Sequence, residues 1–202
     1  MNHNINKFKD RGYDSENRWI SYWHQINEVI DLNPENVLEV GIGNKTASNY
    51  LKNLGIEVTT LDADEELGPD IVSDVLEIPL KDDSFDVVLC AEVLEHLDFE
   101  KFEPALKELK RVAKKYLILS LPHFGPAVKL SFKFPFIREK KFAFKLFLPL
   151  DHKFNGDHYW EIGKRGYPES RIKKIITDNF KIRKDFIPFE NQYHHFFILE
   201  KI

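Results

Sequence analysis

Between residues 36 and 122 the chain alternates short, β-branched apolar runs with helical patterns, and that alternation admits few folds. "NVLEVG" (36–41), "IEVTTLD" (56–62), "DIVSD" (70–74), "FDVVLCA" (85–91) and "YLILSLP" (116–122) have the length and composition of strands. A helix is expected from Thr46 to Asn53 with Gly55 as its C-cap, and another over 99–113 with Leu106, Leu109 and Val112 on one stripe. Strands and helices in this order make βαβ crossovers, hence a parallel sheet covered on both faces. Ahead of them, Trp19, Ile20, Trp23, Ile26 and Ile30 recur at three- and four-residue spacing. They predict an amphipathic helix that starts at Asp14 or Ser15 and stops before Pro34. A last helix runs through Ile172, Ile175 and Ile176 to Asn179, followed by "FKIRKDFIPF" (180–189) and "HHFFILEKI" (194–202), two strands placed to pair antiparallel. The fold class is α/β, a three-layer sandwich.

At 202 residues, 43% of them hydrophobic, the chain is expected to fold as a single domain without disulfides. Cys90 is its only cysteine, and the first ten residues hold no apolar stretch, so the expected setting is cytoplasmic. Residues 1–14 are polar and aperiodic and are expected to be flexible. Residues 123–167 break the strand–helix rhythm with prolines, glycines and aromatics interleaved with lysines. This segment reads as an insertion or lid on the substrate side, after the fifth strand. Charge divides the same way: residues 1–120 carry 13 Lys+Arg against 24 Asp+Glu, residues 121–202 carry 16 against 9, and the latter hold 13 of the 17 phenylalanines. The basic aromatic stretch from Lys129 to Lys145 suits a cover over a small or lipid-like acceptor or contact with an anionic membrane surface. Nucleic acid is the weakest reading at a pI near 6.1.

The chemistry concentrates in "VLEVGIGNKT" (37–46), a strand bearing an acid that runs into a glycine turn and then a helix. Gly41 and Gly43 let the backbone turn tightly and bring main chain close to a ligand, and the helix after Lys45 aims free N–H groups at it. Asp62, closing the second strand 21 residues after Gly41, is placed to accept from two ribose hydroxyls. A dinucleotide fingerprint would need glycine where Thr46 stands, and Glu39 just before the turn would repel a pyrophosphate. Glu39 suits a ligand with a cationic amino group.

With these motifs the chain resembles a class I S-adenosylmethionine-dependent methyltransferase of the type 11 group. Glu39, Gly41 and Gly43 match the family's first motif, Asp62 its second-strand acid, Asp74 in "SDVLEIPL" its third, and "DSFDVVLCAEVLEHL" (83–97) its fourth-strand motif. The resemblance implies a Rossmann-like, seven-stranded, mostly parallel sheet with the last strand antiparallel. It implies S-adenosylmethionine as cofactor, with Glu39 and the Gly41–Gly43 loop at the methionine part and Asp62 with Ala63 at the ribose. Asp74 and Val75 would then meet the adenine, and Cys90 and Ala91 would form a wall near the methionine carboxyl. Many members have a third glycine where this chain has Lys45, a position at which positive φ strains a lysine.

Methyl transfer needs alignment and exclusion of water, and a base only when the acceptor must lose a proton. Candidate bases are His123, placed where the fifth strand ends, His158 in "GDHYW", and His96 on a helix after the fourth strand. No metal site is expected, because His152, His158 and the pair His194–His195 do not form a recognised ligand spacing. Two other readings are an NAD-dependent oxidoreductase or epimerase, for which a Tyr-x-x-x-Lys pair is missing, and a non-catalytic binding module, for which Lys45 is the hint. The acceptor and the oligomeric state are left open.

Overall fold

The computed structural model describes residues 13–202 except 147, 149 and 155. Its elements are α1 (Glu16–Leu32), β1 (Asn36–Val40), α2 (Thr46–Asn53), β2 (Glu57–Asp62), β3 (Ile71–Val72), β4 (Phe85–Ala91), α3 (Phe102–Val112) and β5 (Ala113–Pro122). After these come β6 (Ala127–Phe132), β7 (Lys140–Lys145), α4 (Glu169–Asn179), β8 (Phe180–Phe186) and β9 (His194–Lys201). Seven strands form one sheet in the order β3-β2-β1-β4-β5-β9-β8, and only β9 runs antiparallel to its neighbours. Val37 stands opposite Val58 on one side and Val87 on the other, which brings the C-terminal ends of β1, β2 and β4 together on one edge.

Successive residues of a strand face opposite sides of the sheet, and the two sides build two cores. Val37, Val87, Leu89 and Ile118 pack beneath α1 and α2 with Val29, Ala47 and Leu51. Leu38, Val88, Leu117, Leu119 and Phe197 pack beneath α3 and α4 with Phe102, Leu106, Leu109, Ile172 and Ile176. Buried on both faces, β4 and β5 read as near-continuous apolar runs, as central parallel strands do.

α1 turns a different face inward from the one its apolar spacing predicts. Trp19 and Trp23 are 54% and 59% exposed, and the buried positions are Ser21, Tyr22, Gln25, Glu28 and Val29. The polar members are satisfied across the fold: Ser21 Oγ meets His194 Nδ1, Asn191 Nδ2 donates to Ser21 Oγ at 2.9 Å, and Glu28 pairs with Lys184. His96 sits in a 3-10 turn, Leu94–His96, and not on a helix.

Part of residues 123–167 forms a two-stranded sheet of its own, β6 paired with β7. Leu130 faces Phe142, and Val128 faces Phe144. Of the stretch expected to be flexible, residues 1–12 lie outside the described residues. Asp14 accepts from Asn44 Nδ2 at 2.9 Å, and Arg18 lies over the Tyr13 ring.

Candidate active site

The C-terminal ends of β1, β2 and β4 open onto a cavity of about 430 Å³, where a doubly wound sheet places its ligands. Glu39 reaches it from β1. Its side chain is almost wholly buried and Oε2 has no hydrogen-bond partner among the described residues. Burial pushes its carboxyl up to about 7, against the pull of hydrogen bonds from Ser48. Gly41 follows at φ +78°, where a Cβ would lie 2.2 Å from Val93 Cγ2 in the turn after β4. Only glycine fits that approach.

The acid ending β2 braces the loop it faces. Asp62 Oδ2 accepts from Ile42 N at 2.9 Å and Oδ1 from Asp64 N at 2.9 Å, so each oxygen keeps acceptor capacity toward the cavity. Lys45 adopts φ +63°, the strained left-handed conformation, and its Nζ donates to Gly68 O at 2.7 Å. The residue that departs from the glycine pattern thus ties the first loop to the loop after β2. Asp74 Oδ1 caps its own turn by accepting from Leu76 N at 2.9 Å.

At the other end the cavity is lined by the turn after β4, the inserted segment and the residues leading into β9. His96 Nδ1 meets Asp157 O at 2.9 Å, and His158 Nδ1 meets Glu161 Oε1 at 3.2 Å. Tyr193 OH donates to Glu161 Oε1 at 2.7 Å, and burial, then this bond, raises the phenol's pKa. The two histidine rings meet edge to face, and beside both lies Glu95, fully buried, neither oxygen hydrogen-bonded among the described residues, its pKa raised by burial and then by Glu92.

The cavity gathers Glu39, Gly41, Gly43, Asp62, Ala63, Asp74, Val75, Ala91, His96 and His158 from the sequence-derived set. Two residues fall elsewhere. Cys90 points into the core beneath α3, because its neighbours Leu89 and Ala91 take the cavity-facing side of β4. His123 lies outside the cavity because β9 runs beside β5: its Nδ1 is 3.0 Å from His195 Nδ1, and the rings stack. Burial, Lys145 and His195 hold its imidazole down to about 3. Sequence reasoning missed Glu95, Tyr193 and His194. The signal for Glu95 was its place in "EVLEHL", one residue before a histidine already singled out.

Residues 38–119 match the family model described as a methyltransferase domain. A curated protein of Encephalitozoon cuniculi, described as a methyltransferase, is 31% identical over 141 residues, 63% of this chain and 67% of that one. An uncharacterized Methanocaldococcus jannaschii protein is 46% identical over 44 residues, 22% of this chain, which spans only 18% of that relative's length. Among solved structures, a Burkholderia thailandensis 1,6-didemethyltoxoflavin N1-methyltransferase with its substrate and S-adenosylhomocysteine bound superposes with a TM-score of 0.65. That match covers 98% of this chain and 84% of that one at 13% identity, a likeness of fold. On the family-model match, the relative of 31% identity and the shared fold, the chain belongs to the class I S-adenosylmethionine-dependent methyltransferases.

Proposed function

We propose that the protein moves a methyl group from S-adenosylmethionine to a small, largely apolar acceptor seated against the Glu95–His96–His158 end of the cavity. The observation that carries this is the polarity of the cavity. A buried carboxylate with one unpartnered oxygen and a glycine cradle stand at one end, and a cluster of titratable side chains at the other. Glu39 and the Gly41–Gly43 turn would hold the methionine part, Asp62 the ribose, and Asp74 with Val75 the adenine. The orphaned Glu39 Oε2 fits an ammonium group, and the turn leaves no room for a Cβ at Gly41. When bound, S-adenosylmethionine supplies a methyl carbon on a sulfonium whose leaving group is a neutral thioether. The protein's part is to fix the acceptor in line and keep water out. Tyr22, Tyr159 and Tyr193 wall the acceptor end.

The Burkholderia neighbour holds 1,6-didemethyltoxoflavin and S-adenosylhomocysteine in the same fold, which supports a small-molecule acceptor. A lipid-like acceptor at an anionic membrane surface is supported by the β6–β7 hairpin. Its outer face, Leu130, Phe132, Phe142 and Phe144, is 46–57% exposed, with Lys133, Arg138 and Lys140 exposed around the tip. The other face turns toward the domain, where Lys129 and Lys141 lie over the Phe189 ring. No helix among the described residues is long and apolar enough to cross a membrane. The single buried cysteine, Cys90, supports a cytoplasmic setting.

Isothermal titration with S-adenosylhomocysteine tests the cofactor assignment. Saturable one-site binding is expected, and a flat titration at high protein concentration would sink it.

A further inference from the structure

We propose that Glu95, His96 and His158 form a binding site for a divalent transition-metal ion of zinc type at the acceptor end of the cavity. One donor atom from each of the three residues lies within 4.8 Å of the other two. His96 Nε2 is 4.0 Å and His158 Nε2 3.9 Å from Glu95 Oε1. Ligands about 2.1 Å from a common tetrahedral centre lie about 3.4 Å apart, so the triad is within side-chain adjustment of a coordination shell.

The hydrogen bonds around the triad set its chemistry. Asp157 O takes the Nδ1 side of His96, and Glu161 Oε1 takes the Nδ1 side of His158. A carbonyl and a carboxylate only accept, so each ring keeps its proton on Nδ1 and turns the Nε2 lone pair toward Glu95. This is the arrangement that orients metal-bound histidines. With Glu95 ionised, as a metal ligand must be, the three converging atoms are all acceptors. Glu95 makes the point sharper, because it is fully buried with both oxygens unpartnered among the described residues. A carboxylate in that position is costly without a cation. Glu92, Asp157 and Glu161 add negative field around it. Two imidazoles and one carboxylate suit zinc and its first-row neighbours better than magnesium or calcium.

Three protein ligands supply one fewer than the four of a tetrahedral ion. An ion there would anchor and polarise an oxygen of the acceptor, which narrows the substrate class to molecules carrying a hydroxyl or phenol. That consequence rests on the methyl-transfer reading, whereas ion binding does not.

The test titrates chelator-stripped full-length protein with zinc chloride by calorimetry, in parallel with S-adenosylhomocysteine. One equivalent of zinc is expected to bind. Glu95→Gln and His158→Ala are expected to weaken it about a hundredfold while still binding S-adenosylhomocysteine, which also shows that they fold. Asp62→Ala should do the reverse, keeping zinc affinity and weakening the nucleoside by about fivefold or more. Absence of zinc binding in the native protein, or zinc binding unchanged in both triad variants, overturns the proposal. Intact zinc binding with no nucleoside binding would instead overturn the methyl-transfer reading and leave the ion site standing.

Discussion

Gly41 and Val93 are in such close register that a side-chain carbon added to the first would sit 2.2 Å from Cγ2 of the second. The turn after β1 is therefore shaped as much by the turn after β4 as by any ligand. Gly41→Ala is expected to lower S-adenosylhomocysteine affinity at least tenfold. The Gly41→Ala/Val93→Ala pair should recover part of it, with about 1 kcal/mol still lost to the positive φ. Wild-type affinity in the single variant would refute the packing argument.

Asp62 carries two duties, bracing Ile42 N and Asp64 N and facing the cavity. Asp62→Ala should cost about 1–3 kcal/mol of nucleoside binding, the scale of a lost partner for buried donors. Calorimetry reads this directly, and unchanged affinity in a folded variant would remove Asp62 from the site.

Glu39 gives the site a pH signature. Its folded-state pKa stands at about 7 against an ordinary 4.5, because burial disfavours the carboxylate. A raised carboxyl pKa contributes stability that is fully present below about 4.5 and is lost as pH climbs through about 7. Urea unfolding at pH 5 and pH 8 should show the native protein losing roughly 2–3 kcal/mol relative to Glu39→Gln. A cationic ligand reverses the preference, so binding at pH 6 should release a proton. The heat would then vary with the ionisation enthalpy of the buffer in the native protein and not in the variant. Parallel pH profiles for the two proteins would contradict the buried, ligand-facing carboxyl.

Lys45 separates backbone strain from tethering. Lys45→Ala and Lys45→Gly both lose the bond to Gly68 O, but only glycine relieves φ +63°. The glycine variant should therefore be the more stable of the two by about 0.5–1 kcal/mol in chemical denaturation. The opposite order would show that the conformation is not strained.

The hairpin prediction is read with vesicles. The protein should co-sediment with phosphatidylglycerol vesicles and less with phosphatidylcholine. Phe142→Ser/Phe144→Ser should abolish the difference with a melting temperature changed by no more than ~2 °C, since both rings are more than half exposed. Equal sedimentation of the double variant would free the hairpin from any lipid contact.

What could be read from the sequence was local. The strand-acid-glycine turn, Asp62 and Asp74 are each defined within a few residues, and each lines the cavity. What could not be read depends on neighbours distant along the chain. His123 ends a strand on the ligand side of the sheet, yet β9 brings His195 against it from 72 residues away. His158 meets Glu95 because residues 159–162 fold back against the turn after β4 and the end of β5, so histidines weighed by spacing alone gave no hint that they cluster. α1 misled for a related reason: its tryptophans carry the helical period, but the face that docks is polar and finds partners on β8, β9 and the turn between them.

The antiparallel strand β9 is flanked by β5 and β8, and it pairs Tyr116 with Glu200 and Pro122 with His194. During synthesis the apolar segment that becomes β5 emerges 72 to 84 residues before its partner. At about 5–20 residues per second, it waits on the order of ten seconds with one row of amides and carbonyls unsatisfied. A nascent chain with so late a closing step has an aggregation window built into its topology, and chaperone demand should rise when translation slows between codons 123 and 193.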